Sequence, residues 1–511
     1  MALADDMAVT AQRRFGFGPA PDGWRKVGPD AREAVLAQLD GYKFSDGSGL
    51  LASTDILQQL RERQREVRDA RMAVASPAAP ANGVSANGAP VSGTAANVAP
   101  AHAAAGAAKA PDGAAMAGSV TMVKAPDAAA AATAENKEIF KQKNEFVRIQ
   151  FDNEAAYRQQ MAVTSERPLI ERLTDFWAGH FCISCSKGED VRVIAGAYER
   201  EAIRPHVTGR FRDMLGAIMH HPAMLYYLDN QVSFGPNSKA GQKQKKGLNE
   251  NLGRELLELH TVGVKAGYNQ TDVTNAARII TGWGIAGDKD PTPGAFKFDA
   301  NRHEPGAFTV MGTPFSEGGE AQGEALLDML AAHPATAQHI ADKLVRHFVG
   351  DKASPTLVQT VAKRFHETDG DLRETFMTLV KAPEAWSLAP AKVISPYDMA
   401  ICCERVLALN TDPKKVVNFA RVLGQPLWTP RSPNGFPDTD MAWAAPNALV
   451  KRFDYALQLA GQPKNPPEPM ELANALFGPA LKPDMQTAIK RAASRREALA
   501  MIVMSPEIQV R

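Results

Sequence analysis

Apolar residues recur at every third or fourth position over most of the chain, and this spacing predicts α-helices. Strict alternation of apolar and polar residues, which is typical of strands, is scarce, and only residues 295–311 suggest a short hairpin. No repeat of about 20–50 residues is present, which argues against a solenoid. The pattern predicts helices over residues 32–39, 55–71, 135–161, 200–223, 249–262, 271–281, 323–332, 336–349, 354–368, 372–381, 393–409, 447–459, 470–477 and 491–504, and one more that begins at Pro168.

One long stretch has neither pattern. Between residues 76 and 134, 25 of 59 positions are alanine, and Leu, Ile, Phe, Trp and Tyr are absent. Scattered Pro and Gly break helices, and no large side chains are present whose burial would offset the entropy of ordering. We therefore predict a mainly α-helical protein, one large globule with a few short strands or hairpins and a long disordered insertion. Its predicted parts are an N-terminal helical portion of the main domain at 1–75, a disordered linker at 76–134 and the main helical domain at 135–511.

Composition narrows the function classes. The chain has 511 residues, with 58 Lys+Arg against 57 Asp+Glu, so its formal net charge is +1 and dedicated binding to nucleic acid is not expected. Four cysteines exclude a disulfide scaffold, and no apolar run approaches the ~20 residues of a transmembrane helix. The N-terminus carries Asp5 and Asp6 and lacks a long apolar segment, so as written the protein is expected to be cytoplasmic, with a periplasmic or exported protein as the alternative.

The densest run of polar residues is 249–260, which lies on a predicted helix. At about 100° per residue, five polar side chains share one face, and His260 lies with the leucines on the opposite face. The simpler interpretation is a solvated face on which Arg254 pairs with its neighbours four residues away. The alternative is a cleft in which carboxylates bind a metal or move protons, with Arg254 buried among them. The five residues are Glu250, Asn251, Arg254, Glu255 and Glu258.

Other reactive side chains are scattered. His180 lies on the apolar face of the helix that begins at Pro168, where a buried structural histidine is the simpler interpretation. Cys182 and Cys185 have the spacing of a redox or zinc pair, although buried free thiols are the default. His303 lies in a loop beside Pro and Gly, so it is a better ligand or proton-transfer candidate than a helix-packed histidine. The motifs of P-loop proteins, GxSxG esterases and HExxH metalloproteases are absent.

Several motifs occur together at residues 14–19, 175–181, 228–230, 249–263, 272–283, 303–306 and 343–349. Their order resembles the bacterial domain-of-unknown-function family numbered 1800, over essentially the whole chain apart from the alanine-rich stretch. The block at 249–263 is long enough to be specific. Gly179 and Gly253 depart from the family pattern, which usually has Asn and Ala there, and the two cysteines lie outside it.

The resemblance implies no settled activity. Members of this family are often encoded beside a second uncharacterised protein that is related to sulfatases and alkaline phosphatases, so a partner of that kind is expected. Many members also carry export signals, which bears on the compartment. The polar residues of the motifs imply one shared site that consists of His180, Glu250, Asn251, Arg254, Glu255, Glu258, His260 and His303.

Two functions stay open. One is a hydrolase-type enzyme, metal-assisted or acid/base, for which we expect Arg254 to be buried and His180 or His303 to reach the glutamate pair directly or through one metal or water. The other is a non-catalytic scaffold or accessory protein that acts with the sulfatase/phosphatase-like partner, its polar cluster being a structural network. For the enzyme, the expected roles are catalysis by Glu255, Glu258 and His303, substrate binding by Arg254, Asn251 and Trp283, and binding of a divalent metal by His180, Glu255, Glu258 and His303, with Glu250 and His260 beside them.

Overall fold

The computed structural model describes residues 2–75, 127–352, 354–387 and 392–511. Helices dominate and strands are few and short, so the prediction of a mainly α-helical protein with short hairpins is confirmed. Residues 76–126 of the predicted insertion lie outside the described residues, and the helix that follows them begins at Asp127. No helix in the described ranges is long and apolar enough to cross a membrane.

Helices joined by turns and loops make up the described chain as far as residue 279. They are α1 (Ala2–Arg14), α2 (Gly23–Val27), α3 (Ala31–Leu36), α4 (Ser53–Ala75), α5 (Asp127–Thr164), α6 (Pro168–His180), α7 (Glu189–Tyr198), α8 (Phe211–His220), α9 (Pro222–Tyr227), α10 (Lys239–Gln244), α11 (Asn251–Glu255) and α12 (Gln270–Ile279). A π-helical turn at Glu199–Ile203 continues α7, and another at Leu256–His260 continues α11. Such turns redirect side chains and are frequent at functional sites. Short 3-10 turns lie at Cys185–Lys187, Arg204–His206 and Asn230–Val232.

Four short strands form two small antiparallel sheets. In one, β1 (Trp283–Ile285) pairs with β2 (Phe296–Phe298), and in the other β3 (Phe308–Val310) pairs with β4 (Thr313–Phe315). The region 295–311 therefore contains β2 and β3, but each pairs with a strand outside it. The β3–β4 turn consists of two residues with φ of 48° and 79°, a geometry that closes a tight two-residue hairpin.

The C-terminal half is again helical. Proline often occupies the first helical position there, because its fixed φ suits a helix and that position needs no N–H donor. The helices are α13 (Glu320–Ala332), α14 (Pro334–Phe348), α15 (Pro355–Glu367), α16 (Leu372–Lys381), α17 (Pro396–Val406), α18 (Pro413–Val422), α19 (Pro446–Ala460), α20 (Pro469–Phe477), α21 (Pro483–Arg491), α22 (Arg495–Val503) and α23 (Pro506–Gln509), with 3-10 turns at Pro383–Trp386 and Gly478–Ala480.

Most predicted helices are present with shifted ends, and α6 and α16 begin at the predicted residues. The single helix predicted over 200–223 is wrong, because this region contains the π turn, a 3-10 turn, α8 and the start of α9. Pro205 and Pro222 explain the breaks, since proline lacks the N–H that a helix interior needs. The periodicity did not identify α1, α2, α7, α10, α18, α21 or α23, of which α2, α10 and α23 have only five, six and four residues.

The chain divides into two compact units, Met1–Arg61 with Asn144–Arg511 and, separately, Glu62–Lys143. In the smaller unit, the side chains of Arg71 and Lys143 lie over the ring of Phe140, at 5.8 and 5.1 Å from its centroid. The larger unit holds two clusters of buried apolar side chains, one spread over α6, α8 and α12 to α16 and one over α17 to α22. All the site residues described below belong to the larger unit.

Gly323 in α13 gives a direct test of how the core is packed. A Cβ at this position would lie 2.2 Å from Cζ2 of the buried Trp283, so one of the two would have to move. We expect Gly323→Ala to lower the free energy of unfolding by about 2–3 kcal/mol, as overpacking of a core does. Gly179→Ala is the matched control, because it is also helical and its Cβ would meet nothing within 4 Å. Equal losses for both variants in urea denaturation would contradict this packing.

Candidate functional site

A cavity of about 510 Å³ lies within the larger unit, a volume typical of small-molecule sites. Its wall comes from α5, α6 and the segment that follows it, the end of α7 with its π turn, α14, residues 392–398, loop 425–443 and Arg511. Aromatic and aliphatic side chains alternate with charged ones around it. The charged and histidine side chains of the wall are Arg158, Asp175, His180, Glu199, Lys343, Arg346, His347, Lys392, Asp398, Asp438 and Arg511.

The loop 425–443 is held against the segment that follows α6. The thiol of Cys182 donates to the carbonyl oxygen of Pro433 at 3.1 Å, and the N–H of Cys185 donates to the carbonyl oxygen of Trp428 at 2.8 Å. Both thiols are free and buried, and burial raises the pKa of each to about 12. Because the thiolate is the reactive form, this CxxC pair is an anchor for the loop and not a redox pair.

Gly435 lets the same loop approach α6 closely. Its φ is 81°, a conformation that favours glycine, and a Cβ there would lie 2.7 Å from the carbonyl oxygen of Gly179. This close approach brings Asp438, three residues further along, into the cavity wall.

Asp438 lies among three basic side chains of the wall. It accepts a hydrogen bond from Nδ1 of His347 at 2.9 Å and lies 2.6 Å from Nζ of Lys392 and 3.7 Å from the Arg511 guanidinium. Burial alone would raise the pKa of this carboxyl group, but His347 and Lys392 outweigh it and hold the pKa well below its usual range. Asp438 is therefore ionised and fixes the orientation of the His347 ring, whose Nε2 has no hydrogen-bond partner among the described residues.

The remaining wall acids are paired with buried arginines. Arg158 donates to Glu199 at 2.9 Å and to Asp175 at 2.6 Å, and its guanidinium lies 4.5 Å from the ring centroid of Tyr397. Asp398 accepts two hydrogen bonds from Arg172, at 2.7 and 3.0 Å. These charges compensate one another, so none of them is free to pair with a ligand.

Lys343 is different, because it forms no hydrogen bond or ion pair with any described residue. It lies on α14, one helical turn before His347 and one turn after His339, so the three side chains share a face of the helix. Burial lowers its pKa from 10.5 to about 8, and the negative charge of Asp438 offsets part of this effect. The cavity therefore has in its wall an ammonium group that forms no ion pair with any described residue.

Three histidines lie next to Lys343. Nε2 of His180 donates to the carbonyl oxygen of His260 at 3.2 Å, and its ring centroid lies 6.4 Å from that of His260 and 6.0 Å from that of His339. Burial, together with the positive charge of Lys343, lowers the pKa of His180 and lowers that of His260 to about 3. Both imidazoles are therefore neutral near pH 7. His180 is the member of the predicted site that lines the cavity.

The predicted polar face on α11 is partly solvated. The side chain of Arg254 is 40% exposed and pairs with Glu250 at 3.1 Å and with Gln270 at 3.0 Å. The expectation that Arg254 is buried is wrong, and its ion pair is of the surface kind, worth about 1 kcal/mol or less. Glu250 also accepts hydrogen bonds from Gln270 and Thr274, so it belongs to a local network. Asn251 is exposed.

Glu255 and Glu258 form no hydrogen bond or ion pair with described residues. Burial, with a smaller contribution from the charge of Glu258, raises the pKa of Glu255 to about 7. Glu255 does not line the cavity. No contact joins either glutamate to His180 or His303. The described residues contain no group of three or more His, Cys, Asp or Glu that could hold a metal ion, so the metal remains a prediction.

His303 and Trp283 lie outside this cavity. Nδ1 of the buried His303 donates to the carbonyl oxygen of Thr281 at 3.0 Å, and the N–H of Glu304 donates to the hydroxyl of Thr281 at 2.8 Å. Trp283 is buried and contributes to a smaller cavity of about 250 Å³, together with Asn230 and Arg302. The structure thus separates residues that the motif order had suggested as one site.

Sequence reasoning missed Lys343, His347 and Asp438 as candidate functional residues. One signal was present in the sequence: His339, Lys343 and His347 recur every four residues on a predicted helix, a polar stripe on an otherwise apolar pattern. Asp438 had no such signal, because it lies in a loop and its partners are 91 residues away at His347 and 46 away at Lys392.

Comparison with known proteins gives one match. The family model described as Protein of unknown function (DUF1800) matches residues 10–510, which is nearly the whole chain. No curated protein and no solved structure matches the chain significantly.

Glu255 gives a test of the predicted glutamate pair. Since its folded-state pKa is raised from 4.5 to about 7, the ionised form is disfavoured by folding, and stability falls as the pH rises through this window. We expect Glu255→Gln to stabilise the protein by about 1 kcal/mol at pH 8, an effect reduced by solvent screening of the partly exposed side chain, and to have little effect at pH 4. Urea denaturation at both pH values measures this. The control is Glu317→Gln on an exposed loop, and an effect of Glu255→Gln that does not depend on pH would contradict the raised pKa.

Proposed function

The chain belongs to the DUF1800 family of proteins of unknown function, and we propose that it is a hydrolase-type acid/base enzyme that acts on a small anionic substrate in the 510 Å³ cavity. The observation that carries this proposal is Lys343, a cation in the cavity wall without a partner among the described residues. In this function the ammonium group of Lys343 binds the negative charge of the substrate or of a developing oxyanion.

Lys343 is partly buried, and a cation that has left part of its water without gaining a partner is costly to a fold. Each other cation of the wall has an acid beside it: Arg158 has Glu199, Arg346 has Asp342 at 3.0 Å, and Lys392 has Asp438. Fully satisfied charges are what a purely structural network requires. In the proposed function, the charge of Lys343 lowers the free energy of unfolding of the empty protein. An anionic ligand neutralises this charge when it binds, as is expected for a residue that is kept for binding and not for stability.

His347 and Asp438 supply proton transfer. The carboxylate of Asp438 accepts the Nδ1–H of His347, so Nε2 carries the lone pair that would take a proton from water or a substrate hydroxyl and return it to a leaving group. Nε2 is covered in this structure, so the ring or its neighbours must shift when a substrate binds. Lys343 lies one helical turn from His347, so a substrate anion held by the lysine has its neighbouring bonds within the reach of the imidazole. Hydrolysis needs these two roles, a positioned charge and a base.

Glu255 and Glu258 form a second candidate for the same chemistry. The observation that supports this role is the pKa of Glu255, which is raised to about 7 and suits a group that both accepts and donates a proton. For a divalent metal bound there, His180 has Nδ1 and His303 has Nε2 without a hydrogen-bond partner among the described residues, while the other nitrogen of each ring donates to a backbone carbonyl oxygen, of His260 and Thr281 respectively. No hydrogen bond or ion pair joins either histidine to the glutamates, so this metal site would need the segments to move together. The substrate-binding roles of Asn251, Arg254 and Trp283 belong to this candidate and not to the cavity.

The scaffold function has one observation in its favour. Glu250 is bonded to Arg254, Gln270 and Thr274, which ties α11 to α12 in the way expected of a structural network. This supports a structural role for that helix face. A sulfatase- or phosphatase-like partner and export from the cytoplasm rest on the family resemblance alone.

Stability tests whether Lys343 is an uncompensated charge. The pKa of Lys343 is about 8 in the folded protein, below its ordinary value of 10.5. Below pH 8 the lysine is charged in both the folded and the unfolded state, and its charge lowers the free energy of unfolding. This loss of stability becomes smaller as the pH rises from 8 towards 10.5. We expect Lys343→Met to raise the free energy of unfolding by about 1–2 kcal/mol at pH 7 and by much less at pH 10. Lys363→Met, at an exposed lysine that pairs with Glu367, is the control. Destabilisation by Lys343→Met at pH 7 would show that the lysine has a structural partner.

Activity tests the chemistry. The purified protein is incubated with a panel of anionic esters, amides and phosphate or sulfate esters, and product release is measured. We expect Lys343→Met and His347→Gln each to reduce turnover of any hydrolysed member roughly a hundredfold or more, as expected for the loss of an oxyanion-stabilising group or a general base. Lys363→Met should retain full turnover. Hydrolysis that persists in the first two variants but is lost in Glu255→Gln would transfer the function to the glutamate pair.

A further inference from the structure

We propose that the cavity selects a monoanion with an apolar body, an acyl or aryl carboxylate, whose carboxylate pairs with Lys343 and whose body lies against Trp428, Phe436 and Trp443. This inference rests on the proposed function, since it takes the cavity as the substrate site. It adds the substrate class, which the family match does not give.

The charge balance of the wall indicates a single negative charge. Five Lys and Arg side chains face four Asp and Glu side chains there. Arg158, Lys392 and Arg511 are bound to wall acids, and Arg346 is bound to Asp342, so among the described wall residues only Lys343 lacks an acidic partner. A dianion would therefore bring one charge more than the wall can neutralise, and its burial would be costly.

The geometry of the available cation favours carboxylate over phosphate. Phosphate is best recognised by the planar fork of a free guanidinium, which forms two parallel hydrogen bonds. The charges of the wall arginines are already matched by acids: Arg158 donates to Glu199 and Asp175, and the Arg511 guanidinium lies 3.6 Å from Asp398 and 3.7 Å from Asp438, although its Nε and Nη1 form no hydrogen bond with described residues. A lone ammonium on a flexible stem pairs with a carboxylate without needing such a fork.

The rest of the wall is suited to an apolar body. Large apolar side chains from three elements meet there, and the volume of about 510 Å³ is far more than one carboxylate fills. A small inorganic anion at Lys343 would leave most of this apolar surface unburied, whereas an alkyl or aryl group gains about 0.8 kcal/mol per methylene that leaves water. The apolar residues are Phe176, Ile183, Leu427, Trp428, Phe436 and Trp443.

The test uses the full chain and four probes: acetate, hexanoate, 1-hexanol and inorganic phosphate. Binding is measured by titration calorimetry and by tryptophan fluorescence, because Trp428 and Trp443 line the cavity. We expect affinity to rise roughly fourfold per methylene from acetate to hexanoate. Lys343→Met should weaken hexanoate roughly tenfold or more and leave 1-hexanol unchanged, whereas Lys363→Met should change neither. Trp443→Phe should reduce the fluorescence change while calorimetric binding of hexanoate persists.

The outcomes separate the two proposals. Phosphate that binds more tightly than hexanoate, and loses its affinity in Lys343→Met, would overturn the carboxylate class and leave the cavity as the substrate site. Hexanoate binding that Lys343→Met does not change would also overturn it, since the contact would then be purely apolar. If no probe binds in a Lys343-dependent manner and turnover of the ester panel persists in Lys343→Met, the proposed function itself fails.

Discussion

Burial of charged side chains is the constraint on which the rest of the structure depends. Arg172 is 1% exposed, and an unpaired guanidinium at such a depth would cost several kcal/mol. Its partner Asp398 lies on α17. In a second buried pair, Arg204 donates to Glu171 of α6 at 2.7 Å. Each pair fixes the distance and orientation of two elements more strictly than apolar contact does, because a carboxylate and a guanidinium match in only a few geometries. The cavity is the space that these paired elements enclose.

The π turn after α7 serves the same constraint. Within Glu199–Ile203, Glu199 and Arg200 are 4% and 3% exposed, and the side chains of both point into ion pairs. A regular α-helix would spread successive residues around its axis by about 100° each and would send some of these charges to solvent. The wider turn keeps them on the inner side, and Trp428 reaches the same carboxylate of Glu199 at 3.2 Å. Local distortion of the helix is therefore part of how this wall is built.

Sequence periodicity predicted the fold class because helices such as α6, α14 and α16 each carry their own apolar stripe, a property of neighbouring residues. The ion pair of Glu250 with Arg254 could be anticipated for the same reason, since its partners lie four residues apart. The cavity could not be anticipated in this way. Its acids and bases come from distant parts of the chain, and the motif order suggested that glutamates and histidines met where the structure keeps them apart. The stripe of His339, Lys343 and His347 is visible in the sequence, but the lack of an acidic partner for Lys343 is visible only in three dimensions.

The pair of Arg172 with Asp398 also orders events in time. The two residues are 226 positions apart, and synthesis at about 5–20 residues per second separates their appearance by roughly 10 to 45 s. During that interval the acid is not yet available, and burial of α6 would leave the guanidinium of Arg172 uncompensated. Charged side chains that are buried in the folded protein, such as Arg172, are therefore expected to stay hydrated in the nascent chain. Asp398 also lines the cavity. The cavity wall is therefore completed only after α17, which carries this carboxylate, has been synthesised.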